Sequence, residues 1–392
     1  MKFLHLGDLH LGKSLSEFDL FEDQKYILEQ IVSIAASNMV DAVLIAGDVY
    51  DKSVPSEKAV NLLDYFLKKL VQAKIKVFMI SGNHDSDERL QFGSSFFESK
   101  DIYICARYEG KLYKRELEDE FGRLNIYLLP FIKASQVKAF FPDKAIDSYD
   151  KAVKIVIENA DINQSERNII VAHQFVAGKG SRPTIAGSEG AQVIALSKND
   201  QNEVGLVEQI AADTFDIFDY AALGHIHAAQ KISREEVRYS GSPLKYSLSE
   251  AKHDKSVPII TIGEKGNVKI ELVVLTPLRN LRHIKGKMKI LLDSENIVDT
   301  KDFIYITLTD EDIVNDAMSI FSQYYPNIIK LDYDNQHTKD IENVDISQIT
   351  KDKSFEEILS EFYSLMYGCE MTEEELEVMK AVAKEAGVED ET

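Results

Sequence analysis

The chain has 392 residues, 44% of them hydrophobic, and its 45 basic and 66 acidic side chains give a formal net charge of −21. This length allows two or three domains with a large core, and the negative charge argues against a protein that coats nucleic acid by itself. No apolar run reaches the roughly 18 residues of a transmembrane helix, so the sequence predicts no membrane span. Two isolated cysteines, Cys105 and Cys369, and an N-terminus unlike a signal peptide predict a reducing, cytoplasmic location.

The first 275 residues alternate short apolar runs with longer segments of helical periodicity. Apolar runs at 3–6, 41–46 and 76–80 predict strands, and segments 21–39 and 59–71 between them predict helices. This alternation favours parallel strands joined by right-handed crossovers. Further strands are predicted at 126–129, 169–172, 220–223, 257–262 and 268–274, the last two as a hairpin.

The composition divides the chain into four parts, namely residues 1–275, a second, smaller α/β unit at 276–336, a polar linker at 337–353 and a helical pair at 354–392. The second unit has strand-like runs at 303–309 and 328–333 and a helical run at 313–324. The helical pair is interrupted at Gly368, and Thr372 with Glu375 forms a capping box that predicts the start of its second helix.

Five short polar motifs directly follow predicted strands of the first part. They are Asp8-Leu9-His10, Gly47-Asp48-Val49-Tyr50-Asp51, Gly82-Asn83-His84-Asp85, Ala172-His173-Gln174 and Gly224-His225-Ile226-His227. Ligand-binding groups gather at the carboxyl ends of strands in open α/β sheets, so these loops are expected to converge. Carboxylates, an amide and imidazoles together are ligands for manganese, iron or zinc. Asp48 is the natural bridge, because one carboxylate can bind two ions.

A structural reading of the same residues, as strand caps and turn formers, also has to be considered. It would explain Asp51 or Asp85 taken alone. It does not explain why five of the nine histidines and three glycines stand at five strand ends. The ordered set therefore predicts a two-metal phosphoesterase.

The motifs resemble those of the calcineurin-like metallophosphoesterase superfamily. Within it, segments 4–12, 46–51 and 239–247 are similar to the nuclease subunits of the double-strand-break repair nuclease family. The resemblance covers essentially the whole chain. It implies a four-layer α/β sandwich with two mixed sheets, a small α/β capping domain and a C-terminal helical pair.

The resemblance also implies a site with two divalent metal ions, with manganese as the expected metal. The implied ligands are Asp8, His10, Asp48 and His227 for one ion, and Asp48, Asn83, His173 and His225 for the other. His84 would face the scissile phosphate and stabilise or protonate the leaving oxygen. Asp51 and Asp85 would orient imidazoles, although some relatives carry histidine at the position of Asp51, which leaves its role open.

Several basic side chains are candidates for contacts with the DNA backbone: Arg89, Lys179, Arg182, Lys285, Lys287 and Lys289. The lysines at 285–289 are equally typical of a solvated face. Phe92, Phe96 and Phe97 are more typical of a core than of an interface, but the family dimerises near this position, so a homodimer contact stays open. His5 is expected to be a packed, hydrogen-bonded residue and His253 a loop residue.

The C-terminal helical pair is too short to form a good core alone. One reading packs its apolar faces on the body of the same chain. The other, favoured by the polar linker, docks residues 354–392 on the coiled-coil base of an ATPase partner, with the chain as a homodimer within a heterotetramer. The chain has no Gly-x-x-x-x-Gly-Lys-Ser/Thr phosphate loop, so ATP would bind to that partner.

The predicted function is that of a metal-dependent DNA nuclease. The family implies a 3′→5′ exonuclease on double strands and an endonuclease on single strands and hairpins. A small-molecule phosphoesterase, such as a cyclic-nucleotide phosphodiesterase, shares all five motifs and is the first alternative. The second is a non-catalytic scaffold on the same fold, a class that usually lacks some of the ligands.

Overall fold

The computed structural model describes residues 1–179, 183–188, 209–335, 355–367 and 370–385. Two compact units are distinguished, Met1–Arg282 and His283–Thr392. Among the described helices, none has the length and apolar character that crossing a bilayer requires.

The first unit contains most of the regular structure. Its strands are β1 (Lys2–Leu6), β2 (Ser14–Leu15), β3 (Phe18–Asp19), β4 (Ala42–Ala46), β5 (Lys76–Ile80), β6 (Ile102–Cys105), β7 (Tyr113–Asp119), β8 (Gly122–Leu129), β9 (Arg167–His173), β10 (Val176–Ala177), β11 (Ile210–Ala211), β12 (Tyr220–Gly224), β13 (Gln230–Ile232), β14 (Arg234–Tyr239), β15 (Ser256–Ile262) and β16 (Val268–Val274). Its helices are α1 (Phe21–Ser37), α2 (Glu57–Gln72), α3 (Asp87–Gln91), α4 (Ser94–Phe97), α5 (Ala134–Phe140) and α6 (Tyr149–Glu158), with short 3₁₀ turns at Glu98–Lys100, Ala212–Phe215 and Leu248–Glu250.

The remaining elements are β17 (Leu281–Gly286), α7 (Met288–Leu291), β18 (Phe303–Leu308), α8 (Ala317–Ser322), β19 (Ile328–Tyr333), α9 (Phe355–Tyr367) and α10 (Glu373–Glu385). Strands β17, β18 and β19 form a small sheet in that order. Ile304 and Ile306 of β18 pack with Phe321 of α8 in a separate apolar core. This is the small α/β unit that the sequence predicts.

Two six-stranded mixed sheets build the first unit, in the orders β16-β15-β1-β4-β5-β6 and β13-β14-β12-β9-β8-β7. The central strands of each sheet are parallel, and the antiparallel strands lie at the edges. Leu44 and Phe78 of the first sheet share one buried cluster with Val171 and Tyr220 of the second. The two sheets therefore face each other, as expected for parallel strands that are apolar on both faces.

Helices cover the outer faces of both sheets. Helix α2 starts at Ser56, whose hydroxyl accepts from the Ala59 N–H, and buries an apolar stripe that includes Leu62, Phe66 and Leu70. On the other side, α5 and α6 pack with the second sheet in a cluster of their own. The result is helix, sheet, sheet, helix, which confirms the predicted four-layer α/β sandwich.

The predicted helix at 313–324 is longer than the observed helix α8, which begins only at Ala317. The Asn335 side chain donates to the carbonyl oxygens of Asp310 and Glu311, both at 3.2 Å. Asp316 has a left-handed backbone with φ of 56°. These two features keep the preceding residues in a turn, so helical periodicity alone places the start too early.

The predicted capping box in the C-terminal helical pair is present. The Thr372 backbone N–H donates to Glu375 Oε2 at 2.9 Å, and the Glu375 N–H donates to Thr372 Oγ1 at 3.3 Å. Lys380 of α10 pairs with Glu356 of α9 at 2.7 Å, which ties the two helices together. Gly368 lies outside the described residues.

Replacing Gly224 with alanine is expected to lower the free energy of unfolding by about 3 kcal/mol, because overpacked sites cost up to about this amount. The two sheets approach so closely at Gly224 that an added Cβ would lie 1.9 Å from the carbonyl oxygen of Ala46. Urea unfolding followed by circular dichroism measures the change. Gly263→Ala is the matched control, because its Cβ would meet Asn267 at an ordinary 3.4 Å, and equal losses in both variants would contradict the argument.

Candidate metal centre

The five motifs lie at the carboxyl ends of β1, β4 and β5 in one sheet and of β9 and β12 in the other. Backbone bonds lock the first two loops together, from Asp8 N to the Gly47 oxygen at 3.1 Å and from His10 N to the Asp48 oxygen at 2.9 Å. Asp8, His10, Asp48 and His225 all have positive φ values. Such strained backbone clusters at functional sites, where the surrounding structure holds it in place.

One group of side chains comprises Asp8, His10 and His227, all buried, with potential ligand atoms within 4.8 Å of one another. The two imidazoles face each other, with 3.1 Å between His10 Nε2 and His227 Nε2. These are three of the four side chains expected to hold one ion.

The second group contains the other imidazole pair. His173 Nε2 lies 3.3 Å from His225 Nδ1, and Asn83 Oδ1 lies 3.1 Å from the first nitrogen and 2.9 Å from the second. These three side chains are the ones expected to hold the second ion together with Asp48.

Asp48 stands between the two groups. Its Oδ2 is 3.6 Å from His10 Nε2 and 3.5 Å from His173 Nε2. Its Oδ1 accepts the backbone N–H of His84 at 2.9 Å. One carboxylate oxygen therefore faces both imidazole pairs, which is the arrangement that a bridging ligand requires.

The donor set fits a pair of cations. Paired imidazole nitrogens at 3.1 and 3.3 Å can share at most one proton per pair, and each contact becomes repulsive when both nitrogens carry one. Asp8 Oδ2 is buried without a hydrogen-bond partner. Cations between these atoms would satisfy the lone pairs of all of them at once.

The electrostatics of the pocket also favour bound cations. Burial lowers the pKa of His225 to about 3 and that of His227 to about 4, so both imidazoles are neutral, as ligands must be. Burial and the nearby Asp48 raise the pKa of Asp8 to about 7. Burial opposes protonation of His173, yet Asp48 raises its pKa to about 9. The pocket therefore calls for positive charge beside Asp48.

Asp51 lies behind His10, as the sequence predicts. Its Oδ1 is 3.5 Å from His10 Nδ1 and 2.6 Å from Lys13 Nζ. Burial opposes its ionisation, but His10 and Lys13 hold the pKa of Asp51 below its ordinary value. A charged Asp51 is therefore placed to orient the His10 ring.

Asp85 corrects an expectation. Its carboxylate accepts the backbone N–H groups of Val49, Tyr50 and Gly82, at 3.0, 2.8 and 2.8 Å. It thus joins two motif loops through their backbones instead of orienting an imidazole. The reason is its position three residues after Gly82, where the carboxylate closes a turn.

His84 borders the pocket and is only partly buried. Its Nδ1 lies 3.0 Å from the Asp51 carbonyl oxygen, and its ring meets that of His10 edge to face at 4.9 Å. It lies beside the ligand cluster with its ring oriented by the backbone. This placement suits a group that acts on substrate.

The side chains that back His227 are missing from the sequence prediction. Ser188 Oγ lies 2.7 Å from His227 Nδ1, and the buried Glu250 lies 2.5 Å beyond it and also pairs with Lys255. The sequence marks segment 239–247 and Lys255 only as features of a subfamily. A glutamate and a lysine five residues apart in a loop carry no signal that they meet behind a metal ligand.

The other candidate residues are less informative. Arg89, Lys179, Lys287 and Lys289 are exposed, Lys285 pairs with Asp334, and Arg182 lies outside the described residues. His5 is fully buried and bonds Tyr220 Oη at 3.0 Å, which confirms a packed histidine. The expectation that the phenylalanines belong to the core is wrong, because Phe92 and Phe96 are 83% and 81% exposed and Phe97 is also exposed.

Comparisons with known proteins agree with this geometry. Residues 1–229 match the family model of the calcineurin-like phosphoesterases, and residues 277–367 match a model described as the type 5 capsule protein repressor C-terminal domain. The chain is similar to SbcD, the smaller-lettered component of the nuclease SbcCD, from Staphylococcus epidermidis, with 33% identity over 375 residues and 93% of each chain covered. A solved dimetal phosphatase from Danio rerio matches with a TM-score of 0.40 and 10% identity, over 71% of this chain and 98% of that one.

Proposed function

This chain belongs to the calcineurin-like phosphoesterase family, and from its likeness to SbcD along nearly its whole length we infer that it is a metal-dependent nuclease subunit of an SbcCD-type DNA repair complex. The observation that carries this function is the position of Asp48 Oδ2, within 3.6 Å of one imidazole pair and 3.5 Å of the other. All seven expected ligands lie in one pocket, which favours an enzyme over a non-catalytic scaffold.

We propose two divalent cations, with Mn²⁺ as the metal. Asp8, His10 and His227 would hold one ion and Asn83, His173 and His225 the other, with Asp48 shared. Three carboxylate or amide side chains beside four imidazoles make a mixed oxygen and nitrogen donor set that suits Mn²⁺. When bound, the ions would supply an activated water and offset negative charge on the phosphate.

The chain's own residues then orient the substrate and handle the proton. His84, at the rim of the pocket, donates a hydrogen bond or a proton to the leaving oxygen of the scissile phosphate. Asp51 and Lys13 keep the His10 ring in place, and Asp85 holds the loops that carry Asp48 and His84.

The substrate is DNA, cut from 3′ ends of duplexes and internally at single strands and hairpins. The exposed basic residues of the second unit (Lys287 and Lys289) and of the first (Arg89 and Lys179) are proposed contacts with the phosphate backbone. A uniform loss of affinity across DNA sequences on replacing them with alanine would support this role, and unchanged affinity would contradict it.

The direct test compares substrates. Purified protein with Mn²⁺ is expected to cut hairpin and plasmid DNA and to leave 2′,3′- and 3′,5′-cyclic nucleotides intact. The cyclic-nucleotide phosphodiesterase is the rival because it needs the same pocket. Hydrolysis of the cyclic nucleotides without DNA cleavage would establish the rival function.

We propose that residues 354–392 dock on an SbcC-like coiled-coil ATPase, with 337–353 as the linker. The acidic helical pair exposes Val378, Met379 and Val382, which are apolar, and such a face fits a groove on a partner. Deleting 354–392 is expected to abolish ATP stimulation by that partner and to spare basal cleavage of single strands. Intact ATP stimulation would contradict the docking.

We also propose a homodimer, within a heterotetramer, through the exposed patch of Phe92, Phe96 and Phe97. Large exposed aromatic side chains next to one another are typical of protein interfaces. Phe96→Asp is expected to convert a dimer into a monomer in sedimentation velocity experiments, whereas Met39→Asp, at another exposed apolar side chain, is expected to remain dimeric. A dimeric Phe96→Asp protein would exclude this patch.

A further inference from the structure

Glu250 has no exposed surface and lies behind the metal centre, where the proposed function does not use it. Its Oε1 accepts from Ser188 Oγ at 2.5 Å and Ser247 Oγ at 3.0 Å, and its Oε2 accepts from Lys255 Nζ at 2.5 Å. Burying such an ion pair removes two charges from water and often gives no net stability. Its place in the molecule therefore needs a reason other than stability.

A hydrogen-bond chain leads from this carboxylate to a metal ligand. Ser188 Oγ lies between Glu250 Oε1, at 2.5 Å, and His227 Nδ1, at 2.7 Å. A carboxylate can only accept, so the single hydroxyl proton of Ser188 belongs to that bond. The serine oxygen then accepts the Nδ1–H of His227. This leaves the lone pair of His227 on Nε2, the atom that faces His10 in the pocket.

Lys255 holds the other end of the chain. Its ammonium donates to Glu250 Oε2 at 2.5 Å, to Ser242 Oγ at 2.8 Å and to the backbone oxygen of His227 at 3.0 Å. The lysine thus ties the carboxylate to the backbone of the same histidine. It also neutralises Glu250, so the carboxylate orients the ring without adding negative charge behind the metal centre.

We propose that Glu250, acting through Ser188 and held by Lys255, is a positioning residue that fixes His227 as an Nε2 ligand of one of the two metal ions. This inference rests on the proposed role of His227 as a ligand. The opposite imidazole is oriented differently, since His173 Nδ1 lies 2.7 Å from the Ala46 carbonyl oxygen. The contribution of Glu250 is therefore confined to one ion.

Glu250→Gln tests this directly. Lys255 requires an acceptor, so the amide oxygen takes the Oε2 position and the amide nitrogen faces Ser188. The hydroxyl then donates to His227 Nδ1, and the imidazole proton moves to Nε2. The full chain, titrated with Mn²⁺ alone and followed by electron paramagnetic resonance, is expected to show an affinity about 10–100-fold lower for one ion and unchanged for the other.

A second readout reports the tautomer itself. In metal-free protein labelled with ¹⁵N-histidine, NMR is expected to show one imidazole changed from Nδ1–H to Nε2–H in Glu250→Gln. A merely structural role of Glu250 would not move this proton. Ser188→Ala removes the relay and leaves the ion pair with Lys255 intact, so it should weaken the same ion in a protein that folds normally.

Asp219→Asn is the matched control. Asp219 directly precedes β12, at the end opposite His225, and its buried carboxylate also pairs with a lysine, Lys265, at 2.8 Å. It should bind both ions as the wild type does. Wild-type affinity for both ions in Glu250→Gln or Ser188→Ala, or equal weakening in Asp219→Asn, would overturn the inference. A wild-type chain that binds no Mn²⁺ would instead contradict the proposed function.

Discussion

Replacing His84 with glutamine is expected to lower the rate of DNA cleavage by about 10²–10⁴-fold, the usual contribution of a general acid or base, while both Mn²⁺ ions stay bound. Glutamine can still donate to the Asp51 carbonyl oxygen, the partner of His84 Nδ1 at 3.0 Å, but it cannot deliver a proton at neutral pH. Single-turnover cleavage of a hairpin, with Mn²⁺ titrated in parallel, separates the two effects.

His283→Gln is the matched control, because His283 is exposed in the second unit and bonds Thr307 at 2.8 Å. Its cleavage rate should equal that of the wild type. If His84→Gln kept the full rate with both ions bound, His84 would have no part in the chemistry. If it lost the ions as well, His84 would belong to the ligand set.

Replacing Asp48 with asparagine is expected to have the larger effect, because it removes the ligand that both ions share. The backbone N–H of His84 needs an acceptor at the Oδ1 position, at 2.9 Å, so the amide oxygen stays there. The amide nitrogen then occupies the Oδ2 position between His10 and His173, where it offers no lone pair. We expect Mn²⁺ affinity to fall by more than about 100-fold, since losing an outer partner alone costs about 10–100-fold.

Isothermal titration with Mn²⁺ measures this loss, and cleavage of plasmid DNA should fall at least as far. Asp219→Asn, which alters a buried carboxylate at the far end of β12, should leave both quantities unchanged. Retention of two tightly bound ions in Asp48→Asn would show that Asp48 is not the bridge. Loss of only one ion would make Asp48 an ordinary ligand of the other site.

The sequence predicts the strand ends of the metal centre well, because each motif directly follows an apolar run that needs only local information. The carboxyl ends of parallel strands converge by topology, so Asp8, Asp48 and His173 meet without any knowledge of loop conformation. The α/β sandwich follows from the same alternation of strands and helices.

The residues that support the ligands escape this reasoning. Ser188 and Glu250 are 62 residues apart and meet only through their hydrogen bond, and nothing periodic in the sequence records that contact. Asp85 was assigned to an imidazole because carboxylates often orient histidines, whereas the turn geometry gives it to the backbone. The exposure of Phe92 and Phe96 likewise depends on where α3 and α4 end, which composition does not determine.

The central claim is that the two sheets bring their loops together around a pair of cations that share Asp48. Anomalous scattering from crystals soaked in Mn²⁺ tests it most directly. The account predicts two peaks, one between His10 and His227 and one between His173 and His225, each in contact with Asp48. A single peak, or a pair in which Asp48 contacts only one ion, would contradict it.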